Sequence, residues 1–196
     1  MQFKEMDRRT FLRIGSGFLG GIATGVVLPP LNLAVNENVK QITGKQSGNV
    51  QMAEAIKEYC ETKGDLTECA QNVVKKQELF ISVIAPILEE SAFRVLPSVM
   101  LSAVNDEDPV SVAAVGTGGI LLSKRELGVG VLTSILFGGL HNITSKGYDN
   151  ETIPAPGIIT GMVLWILQRK FGLFANTAAH ITNNTIAVQI IKNYRP

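Results

Sequence analysis

What most constrains this chain is where its charges are missing. Charge-free runs extend from Ile14 to Asn36, Val95 to Asn105, Val110 to Ser123, Leu127 to Ser145 and Thr152 to Gln168. A further run, Phe171 to Ile191, is broken only by His180. Several approach the ~20 apolar residues that crossing a bilayer core requires. A soluble surface helix keeps a polar face for water, and consecutive runs like these leave little room for one. The expected fold is therefore an all-α, polytopic membrane helix bundle. A charged fraction of 18% points the same way, since soluble domains typically carry ~25%.

The same numbers exclude several classes. Eighteen Lys+Arg against seventeen Asp+Glu leave no basic excess for a phosphate backbone. With 6% aromatic residues there is also little to stack bases on, so no nucleic-acid partner is expected. Two cysteines cannot build a zinc ribbon or a disulfide-stapled scaffold.

Three regions are expected. Residues 1–34 read as a signal-like or first membrane segment: Asp7-Arg8-Arg9-Thr10-Phe11-Leu12-Arg13 resembles a twin-arginine export signal, and the apolar run behind it ends at Pro29–Pro30. The same arginines would equally flank a first membrane helix on its positive side. Residues 35–77 are hydrophilic and read as helical, with apolar residues at helical spacing in Met52–Tyr59, a turn at Gly64-Asp65 and a second segment over Leu66–Leu79. Cys60 and Cys69 flank that turn. A helical hairpin could bring them together, but free, half-buried thiols are the expected state. Residues 78–196 form the membrane core. Lys75-Lys76, Lys124-Arg125 and Arg169-Lys170 are expected on one common side, as successive hairpins would place them.

Chemistry concentrates at three places in that core. Glu89, Glu90 and Arg94 lie in an otherwise apolar helix, where ionised groups are costly unless paired or wetted and so mark function by default. Glu90 and Arg94, four apart with the carboxylate first, have the spacing of a helical ion pair. Glu89 points about 100° away around the helix and faces something else. Pro86 removes a backbone donor and can bend the helix toward a polar cavity. His141 closes one charge-free run, four residues after Phe137. His180 sits in the last run, where Thr177, His180 and Asn184 share a face with Asn183 beside it. Alone, such a stripe also serves as hydrogen-bonding glue between membrane helices.

Together these residues specify hydrolysis. A buried carboxylate can take a proton from water while an imidazole holds that water. A second imidazole and an amide can stabilise the oxyanion of a tetrahedral intermediate. The competing use is a metal site, with Glu89, His141 and His180 as ligands and an open position for water. Either use requires Glu89, His141 and His180 to converge within ~3–4 Å of one water-sized site.

Glu89-Glu90-x-x-x-Arg94, Phe137-x-x-x-His141 and His180-x-x-x-Asn184 match, in order, the EExxxR, FxxxH and HxxxN/D motifs of the CAAX-protease and bacteriocin-processing (Abi) family. The chain resembles these intramembrane endopeptidases, relatives of the type II CAAX prenyl endopeptidase, over roughly Glu78 to Ile191. It departs from them at Val95, where glycine is usual, and in having fewer and shorter apolar runs.

The resemblance implies a helical membrane bundle with its active site in a water-filled, membrane-embedded cavity. It implies that Glu89 activates water, that His141 positions it, and that His180 and Asn184 stabilise the oxyanion. Glu90, Arg94 and Phe137 would support the site. The resemblance leaves two cofactor states open: none, or a zinc ion held by Glu89, His141 and His180. The implied partners are a peptide or protein substrate, a lipidated one among them, and membrane lipid, and the implied location is the cell membrane. Two alternatives stand beside this reading: a non-catalytic membrane immunity or partner-binding protein of the same fold, and an exported soluble helical protein.

Overall fold

The computed structural model describes residues 8–44, 59–62, 64–102, 109–112, 120–146 and 154–193. Among these the chain is all-α apart from one short hairpin. Helix α1 (Arg8–Thr43) carries Pro29 and Pro30 in its interior, so it continues beyond the residues at which the first apolar run stops. It is also the one described helix long and apolar enough to cross a membrane, over Gly15–Thr43. The expected helix at Met52–Tyr59 falls outside the described residues except for its last residue, and α2 (Leu66–Leu79) follows the turn. Gly64 takes φ +109°, a conformation glycine adopts without strain. Asp65 caps α2, its Oδ1 accepting the Glu68 N–H at 3.0 Å.

This turn corrects the expectation for the cysteines. Because it folds the end of one helix back on the start of the next, Cys60 and Cys69 come to a Cα–Cα distance of 5.5 Å and form a disulfide.

From α2 the helix runs on through two π-turns, Phe80–Ile84 and Ser91–Val95, that bracket α3 (Ala85–Glu90) before α4 (Leu96–Ser102). Each π-turn closes on the residue just before a proline, Ala85 before Pro86 and Leu96 before Pro97. A proline ring crowds the carbonyl four residues back and brings no N–H, and a wider turn relieves both problems. The charge-free run 110–123 departs from the helical expectation. Pro109–Val112 (β1) pairs antiparallel with Ile120–Ser123 (β2), Pro109 opposite Ser123 and Val112 opposite Ile120. Its β-branched residues suit a strand better than a helix.

Helix α5 (Lys124–Lys146) starts from a reciprocal cap. The Ser123 N–H donates to Glu126 Oε2 at 2.8 Å, and Ser123 Oγ accepts the Glu126 N–H at 3.1 Å. Helices α6 (Ala155–Phe171) and α7 (Leu173–Asn193) are joined through Gly172 at φ +90°. Close crossings hold these helices together. Gly138 of α5 meets Gly157 of α6, and Gly161 of α6 meets Ser134 of α5; Gly17, Gly21 and Gly25 of α1 lie against Phe171, Ala175 and Ala179 of the α6–α7 pair. Small residues four apart let backbones approach in this way. Leu28 of α1 joins Phe137, Leu164, Leu167, Ala175 and Ala179 in one buried cluster, and Asn32 accepts a hydrogen bond from Thr160 at 2.9 Å.

These contacts order the two ends of the molecule. Arg169 pairs with Glu126, so Lys124-Arg125 and Arg169-Lys170 share an end, together with the start of α1. Lys75-Lys76 do not join them: Gln189 bonds Glu78 at 3.3 Å, about 24 Å along α7 from Leu173. The expectation of one common basic side fails because α2 through α4 form a single continuous rod, which carries residues 75 and 124 to opposite ends. The disulfide lies at the Lys75 end.

Candidate active site

Where α3 faces α7, adjacent glutamates divide between inside and outside. Glu90 is 1% exposed, Arg94 0%, His180 2% and Asn176 0%. Glu89 keeps 21% of its side chain exposed and His141 30%. The site thus grades from a sealed floor to an open mouth within one helical turn.

The floor is a polar network. Glu90 Oε1 accepts from His180 Nδ1 at 2.7 Å, and Glu90 Oε2 accepts from Asn176 Nδ2. The expected ion pair with Arg94 is present, with Nε 3.7 Å from Glu90 Oε2. Its guanidinium is also anchored on backbone, donating to the Gly161 and Phe93 carbonyls at 3.0 Å each. Cζ of Arg94 lies 5.2 Å from the centre of the Phe137 ring, an attractive cation–π arrangement. Phe137 carries both imidazoles: its ring centroid is 4.4 Å from that of His141 and 5.6 Å from that of His180, with Phe93 edge-on at 5.8 Å. One aromatic plate therefore sets the spacing of the two histidines.

At the mouth, Glu89 Oε2 stands 3.4 Å from His180 Nε2 and 3.7 Å from His141 Nε2. It makes no hydrogen bond to either, although the atom is buried. The histidine orientations follow from their other nitrogens. His141 Nδ1 lies 2.8 Å from the Phe137 carbonyl, which can only accept, so Nδ1 carries a proton. The carboxylate of Glu90 imposes the same on His180. A neutral imidazole so held turns its Nε2 lone pair to Glu89.

Glu89, His141 and His180 are thus brought together, and Glu90, Arg94 and Phe137 lie directly behind them. Asn184 stands one turn beyond His180, tied to the rod. Its Nδ2 donates to the Ile81 carbonyl at 3.0 Å. The Ala85 N–H goes back to Phe80 in the π-turn, so the next donor in register would be Pro86, which has none. Asn184 supplies the bond that Pro86 withholds. For the zinc expectation, no group of three or more His, Cys, Asp or Glu side chains among the described residues is drawn together as a metal ion would need.

Sequence reasoning missed Asn176 and Gln168. Asn176 lies four residues before His180, the same step that separates His180 from Asn184, and that periodicity was the available signal. Gln168, on α6, offered none.

A carboxylate set between two imidazoles on packed helices is an arrangement that can activate water. The chain belongs to the type II CAAX prenyl endopeptidase Rce1-like family, whose profile matches residues 77–186, more than half of the 196 residues. Membership makes it a membrane protease with a peptide or protein as substrate. The matched stretch contains every residue of the three motifs. No curated protein and no solved structure matches the chain.

Proposed function

We propose that the protein is an intramembrane endopeptidase of the cell membrane that hydrolyses a peptide bond with water activated by Glu89. One observation carries the reading: a buried carboxylate oxygen without a hydrogen-bond partner, flanked at 3.4 and 3.7 Å by two imidazole nitrogens. Three acceptors facing one another call for a proton donor among them, and water supplies two protons.

In the proposed reaction, water donates one proton to Glu89 and is steered by His141 Nε2 as its oxygen attacks the scissile carbonyl. The C–O bond forms, and the carbonyl π electrons move to oxygen. The resulting oxyanion takes hydrogen bonds from His180 and from the second N–H of Asn184. His180 donates there after Glu89 hands the water proton on to His180 Nε2, 3.4 Å away, so that the imidazole then carries a proton on both nitrogens. Collapse breaks the C–N bond and re-forms the carbonyl, and the proton returns from His180 through Glu89 to the leaving amine.

The polytopic reading draws on the outer surface, where Leu88, Leu96, Val99, Leu132, Leu136 and Phe174 stand exposed on four different helices. Lipid is the solvent that such a belt suits. Arginines at the start of α1 and at Arg125 and Arg169 favour a cytoplasmic location for that end. The disulfide at the other end suits an oxidising exterior. Processing of a prenylated or bacteriocin-type peptide is the substrate class the family suggests.

The test is a cleavage assay on purified protein with a fluorogenic peptide panel, prenylated and not. Glu89→Gln should lower turnover about 10²- to 10⁴-fold with an unchanged melting curve. Retained turnover in that variant defeats the reading.

A further inference from the structure

We propose that Asn176 is a positioning residue that fixes the Glu90 carboxylate, and through it the proton on His180 Nδ1. A glutamate carboxylate turns in a broad, two-fold torsional well. With Oε1 alone engaged by His180, its plane is not determined. The second oxygen has two neighbours. Arg94 Nε stands 3.7 Å away and makes no hydrogen bond, its terminal nitrogens being committed to the Phe93 and Gly161 carbonyls. Asn176 Nδ2 does bond Oε2, and so it is the amide, rather than the guanidinium, that orients the carboxylate.

The amide is itself oriented. Asn176 Nδ2 also donates to Gln168 Oε1 at 3.2 Å, and Gln168 Nε2 donates to Ser98 Oγ at 3.1 Å. With its oxygen turned to Asn176, Gln168 leaves only the nitrogen side of that amide free to face Glu90. The chain of bonds runs from Ser98 on α4 through Gln168 on α6 and Asn176 on α7 to Glu90 on α3, and ends on His180. Asn176 Oδ1 is left buried without a partner, a cost that ordinary packing has no reason to keep. Asn176 and His180 lie one turn apart on α7, so the residue that orients Glu90 and the residue Glu90 orients move together.

The consequence for turnover rests on the hydrolytic reading above; the effect on His180 does not. The experiment therefore reads the imidazole directly, in the full chain in detergent with ¹⁵N-labelled histidine. Only two histidines are present, so two ring systems appear, assigned by replacing His141. In the unmodified protein, His180 Nδ1 should give the signal of a fixed protonated nitrogen. In Asn176→Ala that signal should move toward an exchange-averaged value while His141 stays put, and turnover should fall about 10- to 100-fold, as loss of a supporting hydrogen bond typically does. The double variant Asn176→Asp, Glu90→Gln restores the bond with donor and acceptor exchanged. It should return the His180 signal and recover most of the lost turnover, and it answers the question even if Asn176→Ala does not fold. An unmoved His180 signal in Asn176→Ala, or no recovery in the exchanged pair, overturns the proposal. Absence of peptide cleavage in the unmodified protein would instead count against the hydrolytic reading alone.

Discussion

His180 Nδ1 and Glu90 Oε1 lie 2.7 Å apart in a setting closed to solvent, and this pairing separates two glutamates that the sequence places side by side. Glu90 turns inward to the helix that carries His180, while Glu89, one residue earlier, reaches the partly open mouth. A motif written as two identical letters therefore encodes two jobs.

The inward glutamate should matter for stability first. Glu90→Leu removes the carboxylate and leaves the Arg94 guanidinium buried beside an apolar side chain. Breaking a buried pair in this way costs about 3–5 kcal/mol. Thermal melting in detergent should show a large drop for Glu90→Leu and none for Glu89→Gln. Equal melting of the two variants would contradict the division.

Gly21 sits where α1 touches the backbone of Ala175, and a side chain there has no space. Gly21→Leu should destabilise by about 1–3 kcal/mol through overpacking. Gly20, on the open side with nothing near it, is the control. Gly20→Leu should melt like the unmodified protein.

The Cys60–Cys69 bridge closes a short loop, and the loop-entropy relation puts its worth at about 2–3 kcal/mol. Dithiothreitol should lower the melting temperature, and Cys60→Ser should do the same without reductant. In intact cells, a membrane-impermeant thiol reagent should label Cys69 in the Cys60→Ser variant. Labelling only after the cells are opened would reverse the proposed orientation.

Glu126 both closes the cap on α5 and meets Arg169 of α6. Glu126→Ala should cost about 1–2 kcal/mol, the range for a lost helix cap. Hydrogen exchange should rise first in the opening turn of α5, with the amides around Glu89 unchanged.

The sequence shows some of this structure directly. Leu66–Leu79 emerges with the expected bounds because a capping aspartate and a turn glycine mark its start locally. The order of the motif residues is likewise written in spacing, since Phe137 and His141, or Glu90 and Arg94, are four-residue neighbours on one helix. What spacing cannot express is contact between helices. Asn176 reaches Glu90 across 86 positions, and Gln168 acts only because α6 brings it beside Ser98. The rod from Leu66 to Ser102 was legible only in part: Pro86 reads as a bend in a helix, and the π-turns that absorb the prolines leave no mark in composition.

The glycine seam of α1 sets a lower bound on what counts as the working enzyme. The segment bearing all three motifs begins far downstream of that helix, yet the His180 helix leans on it at Ala175, Ala179 and Thr182. A processing peptidase that cut after Ala34 and freed the upstream piece would strip the scaffold from behind His180. Expression of the motif-bearing part alone should yield a chain that needs the missing helix supplied in trans.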